Sequence, residues 1–229
     1  MSWTLDNLDL VAELTLNHVR LSMLPIVLSL LIAVPLGWLA NRSGTLRAVT
    51  ITTGSLLYTI PSLPLFVILP YLLGTRFLSE ANVVVALIIY GVAMMLRSAT
   101  DALASVDPAA RQAATAMGYS PWTRFWTVEL PLAGPVLLAG LRVVSASTIA
   151  LLSVGAIIGS RNLGYLFING RQRNNLEEIL VGIVASVLIA LLFDRILVLL
   201  GRVLLRWPEA NRGRVASRRS LALAATGAS

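Results

Sequence analysis

The amino-acid sequence predicts an all-α membrane protein with about five transmembrane helices. Three observations carry that prediction. Of 229 residues, 57% are hydrophobic and only 13% are charged, whereas soluble domains run at about 25% charged. The mean hydropathy is +0.81. Apolar stretches of about 20 residues, long enough to cross a bilayer as helices, recur between short polar turns. A soluble core of this size has no room for so much apolar side chain, so the bilayer must be the solvent for most of it.

The elements follow in order. Segment 1–18 contains Asp6, Asp9 and Glu13 and lacks a basic start, so it does not read as a cleavable signal. Leu5, Leu8, Val11, Ala12 and Thr15 share a helical face, which predicts an amphipathic or flexible segment at the membrane surface. The first span is 21–40, ended by Asn41-Arg42-Ser43-Gly44. The second, 48–73, is interrupted by Pro61, Pro64 and Pro70. The third is 83–103, followed by a polar loop, 105–131. The fourth is 132–158, the next polar loop is 159–175, and the fifth span is 179–200. Residues 19–206 thus form one membrane domain. The segment 207–229 is basic, then small and low in complexity, and reads as a disordered tail.

Charge orients this array and excludes several functions. All 18 basic residues are arginine. Without lysine there is no phosphate-binding loop of the ATPase type, so any ATP hydrolysis belongs to a partner. Cysteine is absent and His18 is the single histidine, so thiolate and multi-histidine metal sites are excluded. No nucleophile–base pair or paired carboxylates are apparent, so the chain reads as a non-enzyme. The net charge of +7 reflects arginines at the ends of spans, not a nucleic-acid face. With the N-terminus outside, eleven arginines fall on inner segments and five on outer ones. The positive-inside rule therefore puts the C-terminus in the cytoplasm.

The loop 105–131 carries the clearest helix punctuation. Asp107 is a helix cap and Pro108 suits the first helical position. An alanine-rich stretch runs to Met117, and Gly118 suits the left-handed residue that ends a helix. Ser120 and Pro121 repeat the start signal, and Pro131 is expected to limit the second helix. Two readings fit this hairpin. Small residues at Ala109, Ala110, Ala113, Ala114 and Ala116 admit the close approach of another surface. Alternatively, the Trp122, Phe125 and Trp126 face packs the hairpin under its own bundle.

Here the residues resemble a family. Ala113-Ala114, Gly118 and Leu130-Pro131 are similar to the EAA loop of ATP-binding-cassette (ABC) importer permeases. Val106-Asp107-Pro108, Met117-Gly118, Val128 to Ala133 and Ala139-Gly140-Leu141-Arg142 resemble permeases for glycine betaine, carnitine and choline. So do Thr59-Ile60-Pro61-Ser62-Leu63, Ile158-Gly159, Leu163-Gly164 and Asp194. The resemblance implies the type I (MetI-like) permease fold. It implies a coupling site at Asp107, Pro108, Gln112, Ala113, Ala114, Met117, Gly118, Leu130 and Pro131. It also implies two cytoplasmic ATP-binding subunits that hold ATP and Mg, a second permease chain, identical or paralogous, and an extracellular or periplasmic substrate-binding protein. This chain would bind no cofactor, sit in a bacterial plasma membrane and pass an osmoprotectant such as glycine betaine, choline, carnitine or proline betaine. An importer of another small solute or amino acid, or a secondary carrier, is the alternative. Two positions depart from the family: Gln112 stands where glutamate is usual, and Tyr58 where glutamine is frequent.

The interrupted second span offers a pathway or gate. Proline inside a helix removes a donor and frees a carbonyl, and broken membrane helices line cavities. Tyr58, Thr59, Pro61 and Ser62 are the candidates, against a simple packing kink. Arg142 and Asp194 are charges within spans and are expected to be paired. Gly155, Gly159 and Gly164, with Ser153 and Ser160, predict close helix contact.

Overall fold

The computed structural model describes residues 2–205, and the segment 206–229 lies outside them. The frame is set by α2, Leu8–Ala40, which follows a short α1, Ser2–Asp6. Helix α2 runs unbroken through the boundary expected at residue 21, because Leu14 and His18 are buried and give the early turns a core to pack on. Pro25 and Pro35 do not stop it.

Helix α5, Glu80–Ala104, lies against α2 and points the same way. At one end the Arg20 guanidinium pairs with Glu80 at 2.5 Å. At the other, Asn41 Nδ2 donates to the Thr100 carbonyl at 2.9 Å and Arg47 pairs with Asp101 at 2.8 Å. The seam is lined by small residues, with Gly37 against Ala99 and Gly91 against Ser29. Such residues let helices approach closely where no hydrophobic effect drives them together.

Parallel neighbours force the intervening chain to cross back. Only α3, Gly44–Thr59, and α4, Ser62–Leu73, are available for this. The interruption expected in the second span is a sharp corner: the two helices meet at 98°. With 16 and 12 residues they still reach about 30 Å end to end, the thickness of a hydrocarbon core.

The remaining helices complete five crossings. Helix α8, Leu130–Val154, starts near Trp38 and ends where the Ile149 carbonyl meets His18, so it runs antiparallel to α2. A 3-10 turn, Gly155–Ile158, follows it. The polar loop expected over 159–175 contains a helix, α9, Gly164–Gln172. Its start is wedged against α8, and a Cβ on Gly164 would overlap the Ser153 carbonyl. Helix α10, Leu176–Leu204, begins where Glu177 accepts from Thr4 and ends with Gly201 against Leu138. Of its 29 residues only four are buried, and a broad stripe from Leu176 to Leu204 is exposed and apolar, as suits a helix facing lipid.

His18 locks the Arg20 end. Its ring is fully buried, with Nε2 3.1 Å from the Ile149 carbonyl and Nδ1 accepting from Leu163 N–H at 3.3 Å. A carbonyl on one side and an N–H on the other require the neutral imidazole protonated at Nε2.

The break between α3 and α4 is held from α5. Pro64 has no N–H for the Ile60 carbonyl four residues earlier. The Tyr90 hydroxyl donates to that carbonyl at 2.5 Å. Tyr90→Phe is therefore expected to destabilise the protein by about 1 kcal/mol. It should lower the thermal unfolding midpoint in detergent, while Tyr58→Phe, which loses no hydrogen bond within the described residues, should leave it unchanged. Equal midpoints for both variants would refute this role.

Candidate functional site

At the Asn41 end, α5 and α8 are joined by a two-helix knob. Its first helix, α6, is Pro108–Ala116. Asp107 Oδ1 accepts from Ala109 N–H at 2.8 Å and Pro108 takes the first turn, where its missing donor costs nothing. The helix ends at Met117. Gly118 adopts φ +84°, and Tyr119 N–H returns to the Ala114 carbonyl at 3.1 Å. This is a Schellman closure, which favours glycine at that position. Ser120 Oγ then accepts from Thr123 N–H and opens α7, Pro121–Arg124.

The second helix does not stop at Pro131. It passes through a π-turn, Phe125–Glu129, directly into α8. The wider turn, with Leu130 N–H bonded to the Phe125 carbonyl, makes room for a proline ring that would clash in a regular helix. The knob and the fourth span are thus one continuous helical rod.

Three charged residues staple the knob. Arg111 Nη2 donates to the carbonyls of Leu103, Ala104 and Val106 at 3.0, 3.3 and 2.9 Å. These are the end carbonyls of α5 and the turn after it, which have no partners of their own. Arg124 Nε donates to Glu129 Oε1 at 2.7 Å, and Nη1 to Thr115 Oγ1 at 2.8 Å. Glu129 is buried, so its charge depends on Arg124. Sequence reading missed all three staples. The Arg124–Glu129 spacing of five residues is not a facing pair on an α-helix, and only the π-turn brings the two together.

The knob is also tied to α2 by aromatic rings. Trp38 meets Phe125 at 5.0 Å and Trp122 at 6.0 Å between centroids. Trp126 packs on Phe125 and Trp122. Phe125 is buried, but Trp122 and Trp126 are exposed. The Arg42 guanidinium lies 4.3 Å from the Trp38 ring centroid, a cation–π distance.

The expected docking residues divide. Asp107, Pro108, Gln112, Ala113, Met117 and Gly118 are exposed on the knob, whereas Ala114 is buried beneath it. Leu130 and Pro131 belong to the start of α8. An open groove of about 420 Å³ lies beside α6, lined by Arg111, Gln112, Thr115, Ala116 and Arg124. Both arginines are held internally, Arg124 by Glu129 and Arg111 by backbone carbonyls.

The second candidate region is the helix break. Tyr58 is half exposed and stands edge-on to Tyr90, 6.2 Å between centroids. Thr59 Oγ1 donates to the Ser55 carbonyl of its own helix at 2.8 Å, so its hydroxyl is occupied. Pro61 forms the corner and Ser62 begins α4. Tyr58, Thr59 and Pro61 are exposed and Ser62 is half-buried, and the Tyr58 hydroxyl has no hydrogen bond among the described residues.

Comparison with known proteins agrees with this architecture. The osmoprotectant import permease protein OsmW of Salmonella typhimurium is 32% identical, covering 85% of this chain and 92% of the relative. The carnitine transport permease protein OpuCD of Listeria monocytogenes is 28% identical, over 89% and 86% respectively. The choline transport system permease protein OpuBB of Bacillus subtilis is 30% identical, over 83% and 86%. In fold, the chain resembles a subunit in an inward-facing MetNI methionine ABC transporter structure, with a TM-score of 0.75 at 19% identity, covering 87% of this chain and 98% of that one. A family model described as the binding-protein-dependent transport system inner membrane component matches residues 21–207. With that match running from the middle of α2 to the end of α10, the chain belongs to this family of bacterial inner-membrane transport components.

Proposed function

We propose that the chain is the non-catalytic, membrane-spanning subunit of an ATP-driven importer of quaternary-amine osmoprotectants, such as glycine betaine, choline, carnitine or proline betaine. The observation that carries the coupling role is the stapled knob. A rigid two-helix projection, continuous with α8 and presenting Gln112, Ala113 and Met117, suits transmission of force from a docked ATPase. The relatives named for osmoprotectant, carnitine and choline transport support the cargo class.

Two ATP-binding subunits, with ATP and Mg, dock under the knobs of two permease chains in this reading. A substrate-binding protein delivers cargo at the opposite end, and Tyr58 borders the route at the α3–α4 corner. Gln112 keeps a hydrogen-bonding carbonyl but lacks charge, so its contact with the ATPase is not charge-assisted. The eleven-to-five arginine distribution supports a cytoplasmic knob and an outer N-terminus.

The test is co-purification of the solubilised chain with proteins encoded beside it, followed by ATPase assay with binding protein and candidate cargoes. An ATP-binding partner stimulated by loaded binding protein is the expected result. Absence of such a partner would overturn the coupling role; stimulation only by another solute would overturn the cargo.

Two substitutions probe the knob. Gly118→Trp places a bulky L residue in a left-handed conformation, costing about 1–2 kcal/mol locally, and should abolish uptake while leaving membrane insertion intact. Arg124→Ala strands the buried Glu129 carboxylate, at a cost of about 1–3 kcal/mol. Uptake should fall by about tenfold or more, and adding Glu129→Gln should restore part of it by removing the stranded charge. Normal uptake in either single variant would count against transmission through the knob.

A further inference from the structure

The Trp38, Trp122 and Trp126 cluster lies at a depth that the fold itself defines. Arg20, paired with Glu80, marks one boundary of α2. Trp38 lies eighteen residues further along the same helix, about 27 Å at the usual rise, close to a hydrocarbon thickness of about 30 Å. Trp122 contacts Trp38, so it sits at the same boundary.

Trp122 is 60% exposed and Trp126 49% exposed. Neither indole N–H has a partner among the described residues. The neighbouring turns of both helices also carry exposed apolar side chains, Leu36 and Leu39 on α2 and Leu132 and Val136 on α8. Indoles at the edge of an apolar band, with free N–H groups, have the chemistry of a membrane–water interface.

The charge at this end is also unbalanced. Arg42, Arg47, Arg97, Arg111, Arg124 and Arg202 stand against Asp101, Asp107 and Glu129. Arg42 is exposed, rests on Trp38 and has no carboxylate partner among the described residues. An anion from outside the chain would complete it.

We propose that Trp122, Trp126 and the Arg42–Trp38 stack form a seat for anionic phospholipid headgroups of the adjoining leaflet. The second half of the knob is then held by lipid, while α6 projects beyond the headgroups into water. A protein partner covering the tryptophans is the competing outcome.

The experiment uses the full-length chain in vesicles, with Trp3→Phe and Trp207→Phe so that only the cluster fluoresces. Phospholipids brominated near the glycerol end of the acyl chain should quench it more than those brominated near the methyl end. Brominated phosphatidylglycerol should quench about two- to fivefold more than brominated phosphatidylcholine at equal fraction. Arg42→Gln, an exposed change expected to leave helicity by circular dichroism unaltered, should remove that preference. Three results would overturn the seat: no quenching, stronger quenching from the methyl end, or equal quenching by the two headgroups.

Discussion

A backbone carbonyl in hydrocarbon must find a donor, and that constraint organises the chain. Helices α2 and α5 are parallel, so the segment between them must recross the membrane. It does so as two helices meeting at 98°. Such a corner survives at membrane depth only where the bundle supplies what the proline withholds. Tyr90, buried on α5, reaches the Ile60 carbonyl and closes the gap. The corner is therefore a property of α5 as much as of the prolines. Tyr58 and Thr59 are both exposed at this corner, but only the Thr59 hydroxyl is hydrogen-bonded among the described residues. Thr59 satisfies its own helix, whereas Tyr58 leans on Tyr90 from the unburied side.

Much of this was legible beforehand. Asp107, Pro108, Gly118 and Ser120 act locally, through caps and a left-handed residue, and they stand where the sequence implied. The spans were visible because a bilayer reads little more than apolar length. What sequence reading missed depended on non-local geometry. Three prolines announced an interruption but could not state its angle. The start of the first helix was placed too late because burial of Leu14 and His18 comes from α8 and α9. Arg111 and Arg124 read as topological charge. Their use as staples depends on where α5 ends and on the π-turn, which sequence periodicity does not report.

The knob shows how one local irregularity serves two demands. Pro131 would break an ordinary helix. The π-turn accommodates it and, by changing the angular spacing, also aligns Arg124 with Glu129. Arg124 then grips Thr115 on α6, so both arms of the hairpin are bound to the rod that becomes α8. Arg111 performs the matching task on α5. A hairpin attached at both roots by charge-assisted bonds resists bending better than one held by apolar contact alone.

The pair between Arg142 and Asp194 extends this rigidity into the membrane. Ser29 lies midway along α2 between Arg20 and Trp38, and Val144 packs near it beside Gly91. Arg142, two residues away, is therefore close to mid-depth. Its Nε and Nη2 donate to both Asp194 oxygens, at 2.5 and 3.1 Å. A lone charge there would be expensive, but a two-pronged pair is neutral as a unit and fixes orientation as well as distance. Helix α10 buries few side chains of its own, and its other contacts with α8 include Gly201 against Leu138 and Leu205 against Gly134. Sliding α10 by one residue would part the fork from both carboxylate oxygens at once. The pair thus sets the register of α10 at mid-depth, between the Glu177–Thr4 and Glu178–Asn169 hydrogen bonds at one end and the Gly201–Leu138 contact at the other.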